Sequence, residues 1–329
     1  MSGGISVEFN HIMNQQIRCW SRLRTMDLSH VTLDIDTFVH LSQMPRLSKL
    51  SFKLSHALMA QVISTNHLLV FSTLEYFHAA TDSIAAASQL LTRVLLPAAA
   101  QVLIFFETTP PRHAIKSFLM ALARACDRLN SLCVMQFSLF AVHNTKQILT
   151  LDDIRPLMAF NLTGIHIDLD RVIQLNDSSL LEFTSSCERL SSLNTNSMFG
   201  WRTPGITPAG LAQILHNCQS LISLSIALDT RNYVFSSQIR TSPDGSFLSM
   251  NVDVSDSVIE AESIPALAAF FADQVFGRAS EISLGSWNSY SMCRRVPEAD
   301  VYKERWKEVE KLAQQMTMER RPSGRFLNF

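Results

Sequence analysis

The sequence predicts an α/β protein built as a curved solenoid, with a parallel sheet on its concave side, helices on its convex side and a C-terminal capping helix. Three observations favour this fold. Short apolar runs recur at a regular spacing, segments with helical periodicity lie between them, and a charged amphipathic segment follows the last run. One such strand and helix cannot bury its apolar face alone, whereas stacked neighbours form a continuous core.

The apolar runs follow an L-x-x-L-x-L template. Their mean spacing is about 28 residues, at the long end of the range of leucine-rich repeats. Thr195 is the one polar residue at a template position. The runs begin at Leu23, Leu47, Leu74, Ala100, Leu129, Leu162, Leu190, Leu221, Phe247 and Ala279. We therefore expect a leucine-rich-repeat solenoid of about ten repeats, each contributing one parallel strand.

Helices are expected between the runs. Ile115, Leu119 and Leu122 recur at helical spacing. Two other segments carry helix start signals, namely Thr207-Pro208 and Ser263-Ile264-Pro265. Each repeat is thus expected to be a strand, a loop, a helix and a second loop.

The chain is expected to have four regions. They are an N-terminal segment or cap (1–19), the leucine-rich-repeat solenoid (20–296), the C-terminal capping helix (297–320) and a flexible tail (321–329). Within the capping helix, Trp306 and Val309 lie at near-helical spacing and would cover the last repeat. The stretch 229–246 is long for a repeat loop and is expected to be an excursion from the sheet edge, and 285–295 is expected to be a second irregular stretch.

Three of the six cysteines occupy one repeat position. Cys126, Cys187 and Cys218 each lie three residues before an apolar run. Their spacing contains no C-x-x-C pair, so we expect buried thiols at helix ends rather than disulfides, metal ligands or a cofactor site. The first sixteen residues lack the apolar core of a secretory signal, which indicates a reducing location in the cytoplasm or nucleus.

The charge balance and the motifs limit which classes of function are expected. The 28 Lys and Arg balance 29 Asp and Glu, so no overall attraction to nucleic acid or a membrane surface is expected. The chain has no glycine-rich phosphate loop, H-E-x-x-H or G-x-S-x-G motif, and we expect it not to be an enzyme. His166 and Asp168 share one face of a predicted strand, where they fit a general base and its orienting group. A polar, solvent-facing sheet surface explains this pair more simply.

Residues between the template positions are expected to line the concave face. Most are polar, but Tyr76, Val102, Ile104, Phe106 and Met135 would form an apolar centre. Such a patch either binds a protein partner or is covered by another part of the chain. The candidate partner-binding residues are Tyr76, Ile104, Phe106 and Met135.

Two stretches of the sequence resemble fungal, mainly basidiomycete, F-box and leucine-rich-repeat proteins. One is LTLDDIRPL at 149–157 followed by NLT at 161–163; the other is GWRTP at 200–204 followed by TPAGLA at 207–212. The sequence WKEVE at 306–310 is also similar to the last helix of that family. The resemblance extends from Trp20 to Leu312 and rests on structural motifs.

The resemblance implies a function in protein recognition. In that family the F-box docks a Skp-type adaptor, while the repeats present a substrate to a cullin ubiquitin ligase. Nineteen residues precede Trp20, fewer than a three-helix F-box needs, so a Skp-type adaptor is expected only if an F-box is encoded upstream. We therefore expect a non-enzymatic interaction scaffold, similar to the substrate-recognition repeats of such a ligase subunit. The alternative is a structural or regulatory solenoid unrelated to ubiquitin transfer.

Overall fold

The computed structural model describes residues 7–65, 67–137, 147–201, 203–231, 247–276, 279–287 and 296–320. They form two compact units, unit 1 within Met1–Asp170 and unit 2 within Arg171–Phe329. Most of the 229–246 excursion and of the 285–295 stretch, and the whole 321–329 tail, lie outside the described residues. That residues 20–296 form one array stays a prediction.

Unit 1 alternates strands and helices. Its helices are α1 (Val7–Cys19), α2 (Ile35–Ser42), α3 (His56–Ser64), α4 (Ile84–Leu91), α5 (Arg112–Ala125) and α6 (Leu151–Ile154), the last continuing into a 3-10 turn at Arg155–Ala159. Its strands are β1 (Thr25–Thr32), β2 (Lys49–Leu54), β3 (Leu69–Val70), β4 (Tyr76–Thr81), β5 (Val94–Leu95), β6 (Gln101–Phe106), β7 (Ser131–Gln136), β8 (Ile148–Leu149) and β9 (Gly164–Asp168). The long strands pair in parallel in the order β1-β2-β4-β6-β7-β9, and the short strands β3 and β5 pair separately.

Unit 2 has the same alternation. Its strands are β10 (Val172–Ile173), β11 (Ser192–Thr195), β12 (Ser223–Ser225), β13 (Phe247–Asp253) and β14 (Ala279–Gly285). Its helices are α7 (Asp177–Ser185), α8 (Pro208–Asn217), α9 (Ile264–Gln274) and α10 (Ala299–Arg320), with a 3-10 turn at Ala261–Ser263. Strands β11 to β14 pair in parallel in chain order. The α/β class and the ten parallel strands, six in unit 1 and four in unit 2, confirm that part of the sequence prediction.

A recurring backbone contact fixes the register of unit 1. The carbonyl of Arg24 accepts hydrogen bonds from the N–H groups of Ser48 and Lys49, at 2.8 and 2.9 Å. In the next four repeats the accepting carbonyls are those of Ser48, Glu75, Ala100 and Asn130. Each repeat therefore positions the next through the same pair of hydrogen bonds.

This contact corrects the alignment of the fourth run. The accepting carbonyl lies one residue after the run start at Leu23, Leu47, Leu74 and Leu129. By the same rule the fourth run begins at Ala99, not at the predicted Ala100. The prediction that Ile104 and Phe106 line the open side of the sheet is therefore wrong: they are 0% and 1% exposed, and Val102 beside them is 0% exposed.

The core of unit 1 lies between one sheet face and the helices. In β2, Leu50, Phe52 and Leu54 are buried, while the residues between them are exposed or half-buried. The Phe38 ring of α2 packs on Phe52 and Phe71, with ring centroids 5.3 and 5.4 Å apart. Fully burying one such side chain contributes about 1.5–3 kcal/mol, so this face accounts for much of the stability of the unit.

Side-chain caps start three helices of unit 1 at defined residues. Asp34, Ser55 and Ser83 each accept a hydrogen bond from the backbone N–H three residues later, at 2.8, 3.2 and 3.3 Å. A cap of this kind stabilises a helix by about 1 kcal/mol. Helices α2, α3 and α4 therefore begin directly after the preceding strands.

In unit 2, the predicted helix start at Thr207-Pro208 is observed. Thr207 caps α8 by accepting from the Gly210 N–H at 3.2 Å, and it donates its own hydroxyl to Asp177 at 2.6 Å. A Cβ on Gly210 would lie 2.0 Å from Asp177 Oδ1. The absence of a side chain at Gly210 thus allows the first turns of α7 and α8 to approach closely.

Helix α10 occupies most of the predicted 297–320 region and packs on α9 and β14. Trp306 and Val309 are buried on its inner side. The Trp306 indole donates to the carbonyl of Ser257 at 2.9 Å, and the Trp287 indole donates to the same carbonyl at 3.0 Å. Both aromatic groups are therefore anchored to one backbone position of unit 2.

The three cysteines of the shared repeat position are buried, as expected. Burial raises the pKa of the Cys126 thiol to about 12 and that of Cys218 to about 11. Cys19 is exposed at the end of α1, and Cys293 lies outside the described residues.

Candidate functional site

The face of the unit 1 sheet opposite the helices is called the open face. Strand register arranges its side chains in rows across the sheet. The middle row is Asp27, Ser51, His78, Leu103, Cys133 and His166, and the next row towards the carboxyl ends contains Lys53, Ala80, Phe105, Met135 and Asp168. Six parallel strands thus bring together side chains that are far apart in sequence.

An apolar patch lies at the centre of the open face. It consists of Leu103, Phe105, Met135 and Phe137. The Phe105 ring meets Phe137 edge-on with centroids 5.1 Å apart, and Phe137 is 50% exposed. Aromatic groups in this geometry stabilise one another while leaving part of their area in contact with solvent.

The structure places the four predicted partner-binding residues on different faces. Tyr76 and Met135 are half-buried on the open face, whereas Ile104 and Phe106 point into the core. The sequence-based prediction missed Leu103, Phe105 and Phe137. Aligning β6 with its neighbours from Ala99 would have found Leu103 and Phe105, because the adjacent strands show a clear alternation of buried and open residues.

A chain of hydrogen bonds leads to His78 on one side of the patch. Ser29 donates from its backbone to Asp27, and the Ser29 hydroxyl lies 3.0 Å from that of Ser51. The Ser51 hydroxyl lies 2.7 Å from Nδ1 of His78. The hydrogen bonds from Ser29 lower the pKa of Asp27, and burial lowers the pKa of His78. His78 is therefore a neutral imidazole at pH 7, and its ring edge packs on Phe105 at 4.7 Å between centroids.

His166 lies on the other side of the patch, in a different environment. Its Nε2 is 3.5 Å from Oδ2 of Asp168, whose side chain is 0% exposed. This separation is long for a hydrogen bond, so the attraction is mainly that of an ion pair. Burial alone would lower the pKa of His166, but Asp168 and Cys133 outweigh it and raise the pKa to about 9. His166 is therefore positively charged at pH 7.

The open face thus combines an apolar patch with two imidazoles of different charge. His166, Asp168 and Cys133 are close together, so the predicted pairing of His166 with Asp168 is present in space. His78 belongs to a separate cluster with Asp27 and the two serines. The patch offers area for apolar contact, and the two clusters offer polar groups beside it.

The rest of the described chain offers fewer groups that could bind a ligand or react with one. A cavity of about 570 Å³ in unit 1 is lined by apolar and uncharged polar side chains and by His67. Among the described residues, no group of three or more His, Cys, Asp or Glu side chains is placed to hold a metal ion. In the part of the chain that the structure describes, every helix is too short or too polar to cross a bilayer.

Comparison of the sequence with protein-family models finds no matching family, and comparison with curated proteins finds no match. The geometry of the open face is therefore the basis for a functional proposal.

Proposed function

We propose that this protein is a non-enzymatic interaction scaffold of leucine-rich repeats that binds a protein partner through its open face. In this proposal it acts like the substrate-recognition repeat region of an F-box ubiquitin-ligase subunit, the family that its sequence resembles. The partner contributes an apolar side chain or short segment that covers the apolar patch.

The apolar patch is the observation that supports this proposal. Protein interfaces gain most of their binding energy from a few large apolar or aromatic anchors inside a polar rim. Phe105 and Phe137 provide the aromatic area, and Leu103 and Met135 extend it across β6 and β7. Lys53 and the polar residues of β1 and β2 supply the rim on one side.

The assignment of leucine-rich repeats is supported within each unit by strand order. The parallel strands of each sheet lie in chain order, and helices lie in the connections between most of them. In unit 1 the recurring carbonyl contact starts each repeat in the same way. These features suit a structure in which each repeat buries its apolar side against its neighbours.

The proposal is tested by affinity purification with matched surface variants. Phe137→Asp and Phe105→Asp place a charge in the patch, and Thr25→Asp places the same charge on an exposed open-face position outside it. We expect a defined set of proteins to bind the wild type and the Thr25 variant and to be lost with both patch variants. Circular dichroism and melting temperature establish that all four proteins are folded.

Three outcomes decide the interpretation. Retention of the same proteins by Phe137→Asp and Phe105→Asp would show that the patch is not the binding surface. A bound set that contains a Skp-type adaptor and a cullin supports the ligase-subunit function, whereas a set lacking both favours a solenoid unrelated to ubiquitin transfer.

A further inference from the structure

Cys133 is the one thiol on the open face among the described residues. Cys126, Cys187 and Cys218 are buried, and Cys19 lies on helix α1. Cys133 is half-buried in the middle of β7 and is not part of a disulfide. Its surroundings therefore differ from those of every other described cysteine.

His166 lies directly beside Cys133. The two residues are paired in the parallel register of β7 and β9, and adjacent strands are about 4.8 Å apart. Asp168 follows on the same face of β9, with its buried carboxylate 3.5 Å from the imidazole. A cation beside a thiol favours the thiolate, which is the nucleophilic form of cysteine.

The side chains around Cys133, His166 and Asp168 are mostly apolar. Leu103 of β6 pairs with Cys133 on the other side, and Met135 follows it on the same face of β7. The titratable groups near the thiol are His166 and Asp168 on β9; Tyr76 and His78 lie further away on β4, beyond β6. The open-face positions of β6 and the rest of β7 carry no ionisable side chain. An uncharged reagent with an apolar body would lie on this surface at low desolvation cost, in contrast to a charged one.

We propose that Cys133 is a covalent modification site for apolar α,β-unsaturated carbonyl compounds, with the His166 imidazolium as the proton donor. The thiol loses its proton to solvent water, and the thiolate sulfur, beside the imidazolium, attacks the β-carbon, forming a C–S bond. The π-electron pair of the C=C bond moves towards the carbonyl, giving an enolate, and the His166 imidazolium donates its proton to the α-carbon and regains a proton from solvent water. The product is a thioether adduct, and no leaving group or further reactant is required.

The test compares individual cysteines within one intact chain. The chain is treated with 2-nonenal, an apolar alkenal, or with glutathione disulfide, a charged thiol reagent, and adducts are quantified for each cysteine by peptide mass spectrometry. We expect 2-nonenal to modify Cys133 about tenfold faster than the exposed Cys19 at pH 7. Glutathione disulfide should show no preference for Cys133.

Replacement of His166 is the decisive control. His166→Asn should lower the Cys133 rate about tenfold while leaving the Cys19 rate unchanged. In the wild type, the ratio of the two rates should fall as the pH rises above about 9, where His166 loses its proton. If His166→Asn does not fold, His166→Gln replaces it, and the wild-type pH profile still tests the assignment.

Three results would overturn the proposal. They are a Cys133 rate equal to or below that of Cys19, a Cys133 rate unaffected by replacement of His166, and faster modification of Cys133 by glutathione disulfide than by 2-nonenal. The last result would indicate a disulfide-exchange site in place of an alkenal site.

Discussion

The two faces of the unit 1 sheet differ in how readily the sequence reveals them. In β2 the buried residues are apolar and the residues between them are Lys49, Ser51 and Lys53, so the alternation identifies each face. In β6 the sequence from Val102 to Phe106 is apolar on both faces, yet Val102, Ile104 and Phe106 are buried and Leu103 and Phe105 are on the open face. Apolar character therefore locates a strand, while contacts with neighbouring strands decide which face each side chain occupies.

The largest expected effect is the difference in stability between alanine variants of the two adjacent phenylalanines of β6. Phe106→Ala removes a fully buried ring and should lower the free energy of unfolding by about 3–5 kcal/mol. Phe105→Ala, on the open face, removes a half-buried ring and should cost much less. Urea denaturation of both variants measures the difference. Equal losses would place both rings in the core and remove the distinction between the faces at β6.

A smaller effect is expected from His166, the open-face residue beside a buried carboxylate. Burial lowers its pKa, but Asp168 and Cys133 raise it from 6.5 to about 9. The folded state thus binds the proton more tightly than the unfolded state does. The resulting stability is fully present below pH 6.5 and is lost as the pH rises through about 9, a change of about 1–3 kcal/mol.

Denaturant unfolding between pH 6 and 10 tests this dependence. His166→Gln should flatten the decline of stability across that interval. The matched variant His78→Gln should retain the decline, because burial outweighs the opposing effect of the Asp27 carboxylate, lowers the pKa of His78 and keeps it neutral at pH 7. The same slope in both variants would show that another group titrates in this window.

The sequence predicted the strands well because period-two alternation and a repeated spacing are local signals. In unit 1, five of the six run starts stand as predicted, and in unit 2 the helix start at Thr207-Pro208 is observed. The fourth run was ambiguous because Ala98, Ala99 and Ala100 fit the first template position equally well. The hydrogen bonds from Ala100 and Gln101 to the Glu75 carbonyl resolve the ambiguity, and they join residues of different repeats.

The candidate site was only partly predictable, because it also depends on contacts between different strands. His166 and Asp168 are two residues apart within one strand, and this spacing alone was enough to place them on one face. The pairing of Cys133 with His166, and of Leu103 with Cys133, depends on the register between strands that are about 30 residues apart in sequence. The burial of Asp168, which fixes the charge of His166, follows from packing and has no signal in the local sequence.

The smallest expected effect concerns Asp27, at the solvent-exposed edge of the same row as His166. Hydrogen bonds from the Ser29 hydroxyl and backbone N–H lower its pKa below 3.8. This contribution to stability is therefore present above pH 3.8 and is lost as the pH falls through the lowered pKa.

Because Asp27 is exposed, solvent screens the interaction, and Asp27→Asn should change the melting temperature only slightly at pH 7. On acidification from pH 5 to 3, the melting temperature of the variant should fall less than that of the wild type. A large loss of stability in Asp27→Asn at pH 7 would show that the chain from Asp27 to His78 supports the fold as strongly as the buried face does.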